Sequence, residues 1–85
     1  MIWHIVWTAR GDRMLQKAVD SASQPDEVVI AAEMIERLLE NDPLDAGESR
    51  DQDDRILFHG PFAVLYRVNI EDQIAAIHTF WRWAK

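Results

Sequence analysis

The strongest constraint on this chain is an alternation near its middle, where Phe62, Val64, Tyr66 and Val68 interleave with Ala63, Leu65 and Arg67. A period of two is the pattern of a strand whose two faces meet different surroundings. His59-Gly60-Pro61 before it reads as the turn that feeds this strand from the preceding one, since glycine and proline punctuate regular structure. The C-terminal half is therefore expected to be a meander of strands at 55–58, 62–69 and 74–81, with Glu71-Asp72 in the second turn. Such a meander needs cover on one face, and the N-terminal half has to supply it.

Residues 2–8 are rich in β-branched and aromatic side chains and read as a first strand, apolar on both faces and so not expected at an edge. Thr8 is placed to cap a helix whose apolar positions Met14, Leu15, Ala18, Val19 and Ala22 follow a three-to-four spacing, with Gly11 a weak point. Ser23-Gln24-Pro25-Asp26 restarts a helix with a serine cap, proline in the first turn and carboxylates at the positive end of the dipole. This second helix is expected to run to about Glu40 and bury Val28, Ala31, Ala32, Ile35, Leu38 and Leu39. Asn41-Asp42-Pro43 ends it, and residues 42–54 read as an exposed, charged connection. The fold class that follows is α+β: two N-terminal helices packed on one face of a small, mainly antiparallel four-stranded sheet in the order β-α-α-β-β-β.

Strand parity divides the sheet residues between two faces. Trp3, Ile5, Trp7, Ile56, Phe58, Val64, Tyr66, Ile77 and Thr79 are assigned to the helices. His4, Arg55, His59, Arg67 and His78, with Leu57, Leu65 and Phe80, then fall on the open side. An uncovered, partly apolar face of this kind is expected to have a partner.

Eighty-five residues make one domain that buries about 60 to 65% of its unfolded surface. The absence of cysteine excludes disulfides and thiolate metal sites, and no leader or membrane span is recognisable, so a cytoplasmic, membrane-free protein is expected. The net charge of −6 is unevenly spread. Eleven carboxylates against Arg37 and Arg50 between Asp26 and Asp54 give −9 there and leave +3 for the rest. An acidic protein is poorly suited to broad nucleic-acid binding, so direct contact with nucleic acid is not expected from the total charge.

WHIVWT at the start, IERLLENDP closing the second helix, GESRDQDDR after it, and GPFAVLYRV leading into AAIHTFWRW follow one another in an order that resembles the RelE/ParE toxin superfamily of bacterial type II toxin–antitoxin modules, more closely its ParE branch. The resemblance implies a βααβββ fold and a cognate antitoxin that wraps and blocks the toxin. In the ParE branch it implies inhibition of DNA gyrase by binding, without catalysis. In the RelE branch it implies ribosome-dependent cleavage of messenger RNA by arginines on the open sheet face and a tyrosine, lysine or histidine near the C-terminus. The strand position commonly filled there by a catalytic arginine corresponds to Ala63, so a binding protein rather than an enzyme is expected, with a RelE-type nuclease or a non-toxic relative as the alternatives.

Arg67, His78 and Arg82 are nevertheless the candidate catalytic residues, because RNA cleavage needs a base for the 2′-hydroxyl and cations for the transition state. Candidate partner-binding residues are Arg50, Arg55, Leu65, Arg67, Phe80, Arg82 and Trp83, since arginine and tryptophan concentrate binding energy at interfaces. Arg50 and Arg55 have a competing local role, pairing with Asp51, Asp53 and Asp54 to pin the loop. Candidate partners are the antitoxin, DNA gyrase and a second copy of the chain through the open face. No cofactor is implied, and no metal site: the histidines lack ligand spacing, and Asp51, Asp53 and Asp54 lack the glycine and distal glutamate of a calcium loop.

Overall fold

The computed structural model describes residues 2–51 and 53–84. Strand β1 (His4–Trp7) is followed by helices α1 (Ala9–Ser21), α2 (Pro25–Asn41) and α3 (Pro43–Ala46), then by strands β2 (Glu48–Ser49), β3 (Asp54–His59), β4 (Phe62–Asn69) and β5 (Ile74–Arg82). The sheet order is β1-β5-β4-β3-β2. Its first pair is parallel and the others are antiparallel. The α+β layering holds, but with five strands and three helices rather than four and two.

The added elements lie in the segment expected to be a plain connection. Asp42 accepts hydrogen bonds from the amides of Leu44 and Asp45 at 3.1 and 3.3 Å, and Pro43 at the first helical position needs no such partner, so one turn of helix forms. Pro43 is buried, and its carbonyl accepts the hydrogen bond of the buried Tyr66 hydroxyl at 2.6 Å. Gly47 lies against the same ring, where a Cβ would collide with the hydroxyl and crowd the Ile56 carbonyl. The acidic segment is thus clamped to the sheet from below.

Thr8 caps α1, its hydroxyl accepting from the Gly11 amide at 3.0 Å. Gly11 is required rather than weak: a Cβ there would strike the Ile77 carbonyl, so the glycine lets α1 lie directly on β5. The α2 N-cap is Gln24, with no side-chain bond, instead of Ser23. Proline at the first helical position drives the residue before it out of helical geometry and so fixes the boundary there. Val28, Ala31, Ala32, Ile35 and Leu39 are buried as their spacing predicts, whereas Leu38 is exposed on the outer side of α2. Opposite them stand Leu57, Phe62, Val64, Tyr66, Ala75, Ile77 and Phe80. Phe62 stacks on Phe80 at 5.4 Å, and Trp7 tilts against Phe80 at 6.0 Å while its indole donates to Glu36 at 2.7 Å. β1 pairs with β5 alone and is therefore an edge strand. Its apolar second face comes from Val6, which stays on the open side.

Two register facts correct the assignment of faces. His59 pairs with Phe62, so the β3–β4 turn holds only Gly60 and Pro61. Gly60 takes a left-handed φ of 57°, as the first position of a type II′ turn requires, and proline suits the second. Cross-strand partners share a face, so Leu57 joins Val64 and Arg55 joins Tyr66 on the helix side, as does His59. Ile56 and Phe58 point to the open side instead. In β5 the partners of the consecutive residues Leu65 and Tyr66 are Thr79 and Ile77, which leaves His78 as the extra residue of a β-bulge. Beyond it parity reverses: Thr79 joins the open face and Phe80 enters the core.

Candidate functional site

The bulge in β5, the start of β3 and the middle of β4 meet on the open face. Asp54 lies directly opposite Arg67, and one carboxylate oxygen, Oδ1, accepts from Arg67 Nε at 3.0 Å and contacts His78 Nε2 at 3.2 Å. His78 Nδ1 is 2.9 Å from the Thr79 hydroxyl. A carboxylate only accepts, so in the neutral ring Nε2 carries the proton and Nδ1 is left to accept from Thr79. Carboxylate, imidazole and hydroxyl are therefore arranged in line, with a guanidinium on the carboxylate. Both His78 and Thr79 reach this face only because the bulge places neighbouring residues on one side of the sheet.

The charges are graded in exposure: the Asp54 and His78 side chains are 21 and 24% exposed, and Arg67 is 62% exposed. The hydrogen bond from Arg67 holds the Asp54 carboxyl below the usual aspartate range, helped by His78 and opposed by burial. The same bond raises the Arg67 pKa above its ordinary value. Asp54 engages only Nε of the guanidinium among the described bonds, and the Arg67 side chain is largely exposed. Asp51, Asp53 and Asp54 line a cleft of about 220 Å³ beside Arg67. No group of three or more histidine, cysteine, aspartate or glutamate side chains fit to hold a metal occurs among the described residues.

Of the three candidate catalytic residues, Arg67 and His78 come together and Arg82 stands apart. Arg82 pairs with Phe62 on the helix side, its guanidinium 4.7 Å from that ring and 3.2 Å from Glu27 Oε1. Among the candidate partner-binding residues, Leu65 is half-buried on the open face, and Arg50 is exposed in the turn, where its amide donates to the Asp54 carbonyl at 2.9 Å. Arg55 lies on the helix side and reaches the Gly47 carbonyl at 3.4 Å instead of pinning the loop through Asp51 or Asp53. Phe80 is in the core and is unavailable to a partner, because the bulge reverses parity before it. Trp83 is exposed, packed edge-on against Phe58 at 5.3 Å. His4 is exposed on the open side of β1, and His59 lies beside Phe62 on the other face.

Asp54 and Thr79 are the residues that sequence reasoning missed. Once the turn is set at two residues, Asp54 is obliged to face Arg67. The signal for Thr79 is the spacing of the buried positions 75, 77 and 80, which skips one residue. Ala63, between Phe58 and Trp81, is fully buried. Its methyl is too small to bury itself, so the large neighbours close over the position where the resemblance would put an arginine.

No family model matches the chain, and no curated protein matches it either. Solved structures do. A chain of the toxin–antitoxin complex RelBE2 from Mycobacterium tuberculosis superposes with a TM-score of 0.80 at 20% identity, over 96% of this chain and 99% of that one. The isolated RelE toxin of E. coli gives 0.60 at 14% identity, over 98% of this chain and 85% of that one. The chain therefore has the fold of these toxins. These likenesses also correct the ParE-like, gyrase-binding expectation, since the matched folds are those of RelE and a RelBE complex. No helix among the described residues is long and apolar enough to cross a membrane.

Proposed function

We propose that this chain is a RelE-type toxin of a toxin–antitoxin pair and cuts messenger RNA on the ribosome with the cluster built on Asp54. The observation that carries the proposal is the single carboxylate oxygen that orients both His78 and Arg67 on the uncovered face of the sheet. Cleavage proceeds when a 2′-hydroxyl loses its proton and its oxygen attacks the neighbouring phosphorus, forming a cyclic phosphate and expelling the 5′-oxygen. His78 takes that proton at Nδ1 once the Thr79 hydroxyl turns aside, and Asp54, bonded at Nε2, stabilises the imidazolium that results. The exposed guanidinium of Arg67 meets the charge that develops on the phosphoryl oxygens. The leaving oxygen takes its proton from water. Asp54 is a positioning residue, since it acts through the other two.

The partner that restrains such an activity is a cognate antitoxin, as in the RelBE2 complex whose fold this chain shares. The test is controlled expression of the chain and of its His78→Ala and Arg67→Ala variants in a bacterial host, with growth and transcript integrity followed in the same cells. Growth arrest with cut transcripts, relieved by either substitution at equal protein level, is expected. Arrest with intact transcripts, or no arrest by soluble, folded protein, would overturn the proposal.

A further inference from the structure

Phosphate recognition at the cluster is handicapped, because Asp51 and Asp53 flank Arg67 and oppose an approaching anion. Affinity for RNA has to come from elsewhere on the face. Four residues along β4, about 13 Å at the rise of a strand, a cross-strand row reads Phe58, Ala63, Trp81. Phe58 is 45% exposed and Trp83, against its edge, 54%. An exposed tryptophan is ordinarily free to move, but this one is fixed. Its indole donates to the Gly60 carbonyl at 3.0 Å, and its amide donates to the Pro61 carbonyl at 2.9 Å. The rings meet at 75°, so both cannot be covered by each other.

Beyond Asp54, the segments that carry these rings lack the carboxylates that dominate the rest of the chain. Residues 55–70 and 73–85 contain no aspartate or glutamate; of their arginines Arg67 is on the open face, while Arg55 and Arg82 lie on the helix side. The carboxylates lie in the helices, in residues 42–54 and at Glu71-Asp72 in the β4–β5 turn. An acidic protein can therefore still offer a nucleic acid the end of this face around the rings, away from Asp54, without carboxylates.

From the fixed aromatic pair and the lack of carboxylates around it we infer that Phe58 and Trp83, with Trp81 beside them, form a stacking platform for a base of single-stranded RNA. The platform holds the strand while the cluster 13 Å away, a span of about four stacked nucleotides, meets its backbone. Stacking needs no sequence preference, because every base has a π-face. The inference rests on RNA being the substrate, as proposed above.

The test is anisotropy of a fluorescein-labelled decauridylate, methylated at every 2′-hydroxyl so that it binds but cannot be cut, titrated with the full chain. Trp83→Leu and Phe58→Leu are each expected to weaken binding about 10-fold or more, and Trp83→Phe, which keeps a ring, to stay within about threefold. The dependence of log affinity on log salt is expected to be shallow, a slope of about −1 to −2, since few cations are involved. No binding by the wild-type chain, or equal binding by both folded leucine variants, would overturn the inference and leave the rings to a protein partner. Cut transcripts in cells together with unchanged binding by the leucine variants would sink the platform and keep the nuclease. Ring-dependent binding without any cleavage would do the reverse.

Discussion

Deleting His78 separates the role of the bulge from that of the fold. Leu65 faces Thr79 and Tyr66 faces Ile77, so removing the residue between them joins two pairs that already belong to one regular ladder. Thr79 stays on the open side and Phe80 stays in the core. β1 is unaffected, because its pairing with β5 ends at Ile77. The losses are the ring's two hydrogen bonds, to Asp54 and Thr79, worth about 0.5 to 1.5 kcal/mol each, and regular pairing returns about as much as one of them. The net cost is thus about 0 to 2 kcal/mol, and in a domain of this size 1 kcal/mol corresponds to about 4 to 8 °C in Tm. A slip in register would instead turn Phe80 outward and cost about 3 to 5 kcal/mol in lost packing alone. Thermal unfolding followed by tryptophan fluorescence distinguishes the two. A cooperative transition less than about 15 °C below wild type is expected, with RNA cleavage reduced at least about 100-fold by loss of the base. A deletion protein that does not fold, or one that folds and still cuts RNA, would refute the assignment of the bulge to chemistry.

Tyr66→Phe keeps the ring and removes the donor, leaving the buried Pro43 carbonyl unsatisfied, and is expected to cost about 1 to 3 kcal/mol in urea unfolding. Because burial raises the Tyr66 pKa, its contribution is present below about pH 10 and lost as pH rises through the folded value. The alkaline loss of stability is therefore expected to be shallower in the variant, and identical alkaline limbs would exclude this linkage. Asp54→Asn tests the opposite limb. The folded carboxyl is held low chiefly by Arg67, so its contribution is present above about pH 4 and disappears as pH falls through the folded value. The gap in urea midpoint between wild type and Asp54→Asn is expected to close between pH 6 and pH 2, and a constant gap would count against the pairing.

The helical half was legible because local chemistry decides it. Thr8, Pro25 and the apolar spacing along α2 each fix a boundary or a face without reference to the rest of the chain. Leu38 escaped because a helix lying on a narrow sheet buries one stripe, and the residue next to that stripe is left in water. The phase of β3 was also within reach. Proline cannot adopt positive φ, so a Gly60-Pro61 pair at the type II′ positions implies a two-residue turn, and a two-residue turn pairs His59 with Phe62. Reading His59 as part of the turn shifts that register by one and sends every β3 side chain to the wrong face.

The site itself depends on the irregularity in β5, which strict alternation cannot express. In a regular strand that begins with Ala75 and Ile77 facing the helices, Thr79 would follow them inward and Phe80 would point to water. Burying Phe80 and presenting His78 are compatible only if one extra residue is accommodated, and the bulge that does so also brings Thr79 out beside the imidazole. A bulge leaves one residue without ladder partners, and a polar cluster in place of apolar side chains adds little to stability. On the pairing of Leu65 with Thr79 and Tyr66 with Ile77, the same ladder is expected to close without His78, as the deletion tests. Bulge and cluster together give the alignment of hydroxyl, imidazole, carboxylate and guanidinium on one face, which is the arrangement the proposed cleavage uses.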